Sequence, residues 1–113
     1  MRLLHIDTLK LHEYASAEDA PPYIITSHRW LDGEVSFQEV LRHERDSTVR
    51  GKAGMRKIKA FCDFVKIWRD SYEKPEPLIA LRTIPCHIWI DTCCINKESS
   101  AELQEAITSM FQW

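Results

Sequence analysis

Two short stretches hold the side chains with the most chemical potential: Ser27-His28 with Trp30, and Asp91-Thr92-Cys93-Cys94. A thiol, an imidazole and a carboxylate can form a nucleophilic centre, with the histidine as base and the carboxylate orienting it. That chemistry needs the histidine within hydrogen-bond reach of the thiol and an exposed, electropositive setting for the thiolate. Neither is written in the sequence. The expected arrangement is a satisfied polar network, in which Asp91 accepts hydrogen bonds from backbone amides or from Ser27 and His28 and ties two segments together. A ligand site at the same place would draw on the same residues, but no residue is assigned as catalytic.

Cys93 and Cys94 are adjacent, without C-x-x-C spacing or a second Cys/His cluster, so no metal site is expected. They read as small buried apolar residues at a strand end. With Cys62 and Cys86 they are too few and too irregularly spaced for a disulfide framework, and are expected as free thiols. His5, His12, His43 and His87 show no ligand spacing, and each reads as a surface or partly buried histidine. Trp89 is expected in the core. Trp30, on a loop after a strand, divides evenly between core packing and an interface role.

The chain has 113 residues, of which 44% are hydrophobic and 28% charged, an ordinary balance for one small globular domain. With 15 Lys and Arg against 17 Asp and Glu the formal net charge is -2, which gives no reason to expect nucleic acid or an acidic membrane as partner. The cations from Arg50 to Lys66 have acidic neighbours at helical spacing and read as a solvated face. No stretch is apolar enough to span a bilayer, and Met1 to Asp7 lacks the core of a secretory signal. A cytoplasmic location is expected.

The elements that must position these residues are legible from pattern. Ile88-Trp89-Ile90 is an apolar run without alternation, the signature of a strand buried on both faces of a parallel sheet. Asp91 at its carboxyl end would point into the crevice where open α/β sheets hold ligands. Tyr23 to Ser27 reads as the first core strand. Leu3, Leu4, Ile6, Leu9 and Leu11 suggest one or two edge strands. After the Asp32-Gly33 turn, Ser36 and Glu39 have capping-box spacing, with Val35 and Val40 as a hydrophobic staple, so a short helix is expected from about 37 to 45. The polar segment 45–54 reads as a flexible loop, and 73–85 as an extended link. Between them Ile58, Phe61, Cys62, Val65, Trp68 and Tyr72 share one helical stripe, ended by Pro75 and Pro77. Ser99 and Glu102 repeat the capping box, worth about 1 kcal/mol, before a helix with Leu103, Ala106, Ile107, Met110 and Phe111 on its apolar face. Two buried strands joined by a long amphipathic helix form a βαβ unit, which places the strands parallel and brings Ser27-His28 and Asp91-Thr92 to one sheet edge.

These blocks resemble the heterokaryon incompatibility (HET) domain of filamentous fungi. Ser27, His28 and Trp30 match its S-H-x-W motif, and Trp89 to Lys97 match W-[IV]-D-[ST]-C-C-I-[DN]-K. Ser99 to Trp113 match the family's S-S-A-E-L-x-E-A-I-x-S-M-F-x-W helix, and Met1-Arg2-Leu3-Leu4 resembles its usual opening. The family continues into further strands and a W-T-x-Q-E segment, so residues 1–113 are expected to be the N-terminal portion of one HET domain. HET domains resemble TIR domains in fold, and some TIR domains cleave NAD with a glutamate whose corresponding position lies beyond Trp113; Glu98, Glu102 and Glu105 do not replace it.

The resemblance implies a three-layer, parallel-sheet α/β fold, TIR-like or flavodoxin-like and incomplete at its C-terminal side. It also implies a self/non-self recognition and signalling module that triggers programmed cell death through protein partners, with homotypic association and without catalysis. An NAD-cleaving or nucleotide-binding enzyme on the same crevice is the alternative, with NAD as ligand or substrate, and an inactive fragment is the second. The sheet edge beyond the central strand is expected to be unpaired, leaving the chain marginally stable or self-associating.

Overall fold

The structure is a computed structural model, which describes residues 1–71 and 84–110. Ile88-Trp89-Ile90 falls in strand β4 (His87–Ile90), and all four of its residues are buried. Strand β3 (Tyr23–Thr26) pairs with it in parallel, Tyr23 opposite His87 and Thr26 opposite Ile90. Both strands therefore leave the sheet at the same edge, Ser27-His28 beside Asp91-Thr92, as the βαβ pattern requires.

The sheet is not wholly parallel, and the far edge of β4 is not unpaired. Strand β1 (Arg2–His5) pairs antiparallel with β4, and β2 (Leu11–Glu13) antiparallel with β1, giving a four-stranded mixed sheet in the order β2-β1-β4-β3. The opening segment thus supplies an interior strand as well as an edge. Leu3 and Leu4 point to opposite faces and both are fully buried, which requires cover on two sides. The turn back into β2 places Leu9 at φ 56°. Conversely, the expected core strand 23–27 lies at an edge. β3 has a hydrogen-bonded neighbour on one side among the described residues, and Ile25 is 45% exposed.

Helix α1 (Phe37–Leu41) begins with the full reciprocal capping box of Ser36 and Glu39, and Val35 and Val40 are buried beside it. It ends at Arg42 rather than near residue 45. The expected loop 45–54 contains a helical turn, α2 (Ser47–Arg50), because the Asp46 carboxylate accepts from the Thr48 amide at its start and Val49 is buried. Helix α3 (Ala53–Ser71) then buries Met55, Ile58, Cys62 and Val65. Phe61 is half-buried, whereas Trp68 is 40% exposed and falls outside the expected stripe. Helix α4 (Ser100–Met110) rests Leu103 and Ala106 against the core and leaves Ile107 and Met110 exposed. Tyr72, Pro75, Pro77 and Phe111, with nearly all of the link 73–85, lie outside the described residues.

Two glycines lock the crevice side of the fold. Gly33 adopts φ 81°, a left-handed conformation costly for other residues. Gly54, in the first turn of α3, donates to the Gly33 carbonyl at 2.8 Å, and a Cβ there would lie 2.5 Å from that oxygen. The close approach fixes Glu34 next to the strand ends.

Candidate functional site

At the carboxyl edge of β3 and β4 the two chemistry-bearing stretches converge. The His28 side chain is only 7% exposed; its Nε2 lies 3.5 Å from Glu34 Oε2 and its Nδ1 3.9 Å from Asp91 Oδ1. Neither ring nitrogen has a hydrogen-bond partner among the described residues. Asp91 accepts instead from the indole Nε1 of Trp30 at 2.8 Å. Of the expected donors, His28 comes to 3.9 Å from the carboxylate, and the loop after β3 carries the longer indole across to it. Trp30 is 51% exposed while its N–H is held, so it belongs to the surface of the crevice and not to the core. Trp89, 4% exposed, is core as expected.

Lys97 closes the other side. Its ammonium donates to the carbonyls of Asp91 at 2.6 Å and Thr92 at 3.2 Å, and sits 4.2 Å from the centre of the Trp30 ring. Burial lowers its pKa from the usual lysine value, although the Asp91 charge opposes that shift. Glu34 accepts from Lys57 and from the Leu31 amide. Burial would raise its carboxyl, but those bonds outweigh it and hold the pKa below 4.5. The cation over the indole gains from the ring quadrupole as well as from the carbonyls.

Cys93 and Cys94 are buried in the core, and Cys94 Sγ accepts from the Ile90 amide at 3.4 Å. The hydrogen bond with Cys94, reinforced by burial, pushes the Cys93 thiol well above its ordinary value, so it is held as a neutral thiol. No hydrogen bond joins His28 to either cysteine among the described residues, and all four cysteines are free. Thr92 Oγ1 is buried without a partner among the described residues, and Thr92 lines a cavity of about 150 Å³ with Trp30, Glu34, Gln38 and Lys97. Among the described residues no group of three His, Cys, Asp or Glu side chains is placed to hold a metal ion.

The second capping box is half made. The Glu102 amide lies 3.4 Å from Ser99 Oγ, but the Glu102 carboxylate accepts from the Asn96 amide at 3.1 Å and from Arg2. A guanidinium from β1 and the preceding loop compete for the oxygen that the local motif would use. A groove of about 740 Å³ runs between α4 and the β1–β2 hairpin over Trp89 and Ile95.

Sequence reasoning missed Glu34, for which the only signal was its place after the Asp32-Gly33 turn. It also missed a contact among three histidines. His12 Nδ1 lies 3.1 Å from His87 Nε2, and the His5 and His87 ring centres are 4.9 Å apart. Nothing local announces it, since the grouping depends on β1 lying between β2 and β4.

No family model matches the chain, and no solved structure matches it. Among the described residues no helix is long and apolar enough to cross a membrane. Over 95 residues, 82% of its length, the chain is 39% identical to the vegetative incompatibility protein HET-E-1 of Podospora anserina. It spans 6% of that relative's length. Most of the chain is therefore a region related to this heterokaryon incompatibility protein.

Proposed function

We propose that the chain is a recognition and signalling module of the fungal incompatibility type, which works through protein contacts and self-association in the cytoplasm to trigger cell death. The observation that carries this reading is the 39% identity to a vegetative incompatibility protein over 82% of the chain. The crevice supports it. Asp91 is engaged by Trp30, Lys97 caps the strand end, and both neighbouring thiols are buried, an arrangement suited to holding two segments in register and lacking an activated nucleophile. Exposed Phe64 and Ile67 on α3, with Leu31 and Trp30 beside the crevice, offer apolar contact surface of the kind partners cover. The parallel β3–β4 pair with its long connecting helix fits a TIR-like, three-layer arrangement. Expression of the chain in a filamentous fungus is expected to arrest growth, and to do so less when Phe64→Ser and Ile67→Ser are combined. Unimpaired growth with the unaltered chain at high expression would overturn the reading.

The cavity lined by Trp30 and Thr92, at strand ends whose Thr92 hydroxyl and His28 ring nitrogens have no hydrogen-bond partner among the described residues, favours one second reading, an NAD-cleaving or nucleotide-binding crevice. Incubation with NAD is expected to release no nicotinamide. Turnover abolished by Asp91→Ala or His28→Ala would establish the enzyme instead.

A further inference from the structure

The β2 strand is short and outermost. It is three residues long, pairs with β1 from Arg2 opposite Glu13 to Leu4 opposite Leu11, and lies at the end of the sheet order; beyond that ladder the His5 amide donates to the Lys10 carbonyl at 2.9 Å, the Tyr14 amide to the Met1 carbonyl at 2.8 Å and the Met1 amino group to the Tyr14 carbonyl at 2.9 Å. Side chains add to this pairing. His5 of β1, His12 of β2 and His87 of β4 meet on one face, tilted or edge-on to one another, with ring centres 4.9 to 5.6 Å apart. His87 Nε2 is 3.1 Å from His12 Nδ1 and 3.4 Å from the Tyr14 hydroxyl, and its Nδ1 is buried with no partner. Two imidazole nitrogens at 3.1 Å share one proton, so a second proton leaves two donors facing each other.

We propose that His5, His12, His87 and Tyr14 form a proton-sensitive latch, which holds β2 on the sheet while His87 is neutral and releases it when His87 takes up a proton.

Among the described residues the groups that His87 meets carry no negative charge. From β1 it meets His5, from β2 and just beyond it His12 and Tyr14, and from β3 its register partner is Tyr23. Asp7, beyond His5, is already engaged by Arg69 of α3 at 3.2 Å. Burial, then the charges on His5 and His12, push the pKa of His87 down to about 4 from 6.5. Lifting β2 removes His12 and Tyr14 and wets the ring, so the open form binds the proton that the closed form refuses. Opening therefore grows as pH falls from 6.5 toward 4 and is insensitive to pH above 6.5. Release uncovers the backbone donors and acceptors of β1, a template for an added strand.

Hydrogen exchange on the full chain, expressed as protection factors corrected for intrinsic rates, reads the opening directly. Between pH 7.5 and 5, protection of the His5 and Tyr14 amides is expected to fall roughly tenfold or more, while the β3–β4 amides keep theirs. His87→Leu is expected to hold the His5 and Tyr14 protection within about twofold over the same range. His12→Gln, at an exposed position whose loss leaves the core intact, is expected to shrink the fall severalfold. A flat profile in the unaltered chain, an equal loss at β3–β4, or an undiminished fall in His12→Gln would each overturn the latch. If His87→Leu does not fold, His12→Gln decides the matter.

Discussion

Trp30 and Asp91 show how a single side chain can do two jobs at once. The indole face lies open at the crevice mouth under the Lys97 ammonium, while its N–H fixes the carboxylate at 2.8 Å. Trp30→Phe keeps most of the ring and removes the donor, and is expected to cost about 1–2 kcal/mol, since a bond to a charged acceptor is worth more than a neutral one. Urea denaturation at pH 7 measures this, and an unchanged midpoint would separate the bond from stability. The cysteines divide by environment: Cys62, Cys93 and Cys94 are buried and Cys86 is partly exposed. Burial pushes the Cys62 thiol up to about 11. Titration of the native chain with a thiol reagent is therefore expected to modify Cys86 first and the other three only with unfolding. Fast reaction of Cys93 or Cys94 would revive the nucleophilic reading of the crevice.

Among the elements, the α3 N-terminus carries more of the site than its distance from the strand ends suggests. Gly54 lets the helix meet the Gly33–Val35 backbone, which in turn delivers Glu34 to His28. Gly54→Ala gains helix propensity but drives a Cβ against a main-chain oxygen, which cannot swing aside. A net loss of about 1–3 kcal/mol is expected from the forced shift, with a displaced His28 environment visible in its imidazole resonances. The two capping boxes have the same spacing and different outcomes. Ser36 and Glu39 complete theirs because Lys52 takes Glu39 Oε1 and leaves Oε2 to the Ser36 amide, whereas Glu102 is drawn to Arg2 and the Asn96 amide. Local motifs hold where no distant group outbids them.

For the molecule as a whole, acid is the informative perturbation. His87 is protonated less readily in the folded chain than in the unfolded one, so stability is fully present above pH 6.5 and is lost as pH falls toward about 4. Glu34 and Glu39 add a second loss: burial acts to raise both carboxyls, but Lys57 and the Leu31 amide at Glu34, and Lys52 and the Ser36 amide at Glu39, hold them below 4.5. Their contribution is present above that value and disappears beneath it. The unfolding free energy from urea titration is expected to drop between pH 7 and 5 by on the order of 1–2 kcal/mol, ahead of the steeper loss below 4.5. His87→Leu should flatten that span and leave the steeper fall below pH 4.5. A midpoint constant from pH 7 to 5 in the unaltered chain would contradict the assignment of His87.

Pieces whose rules are local were legible in the residues alone. The apolar Ile88-Trp89-Ile90 run, the Ser36 box, the stripe through Ile58, Cys62 and Val65, and the parallel sense of Tyr23–Thr26 and His87–Ile90 all follow from periodicity, capping chemistry and the length of the connecting helix. The convergence of His28 and Asp91 was legible for the same reason. What depends on strand order was settled by long-range pairing. Whether the opening Leu3-Leu4 segment lies inside the sheet or at its rim is a choice between partners far apart in the chain, and propensity does not distinguish them. That choice puts β1 between β2 and β4, gives β4 its second neighbour, and assembles His5, His12 and His87 from positions with no common spacing.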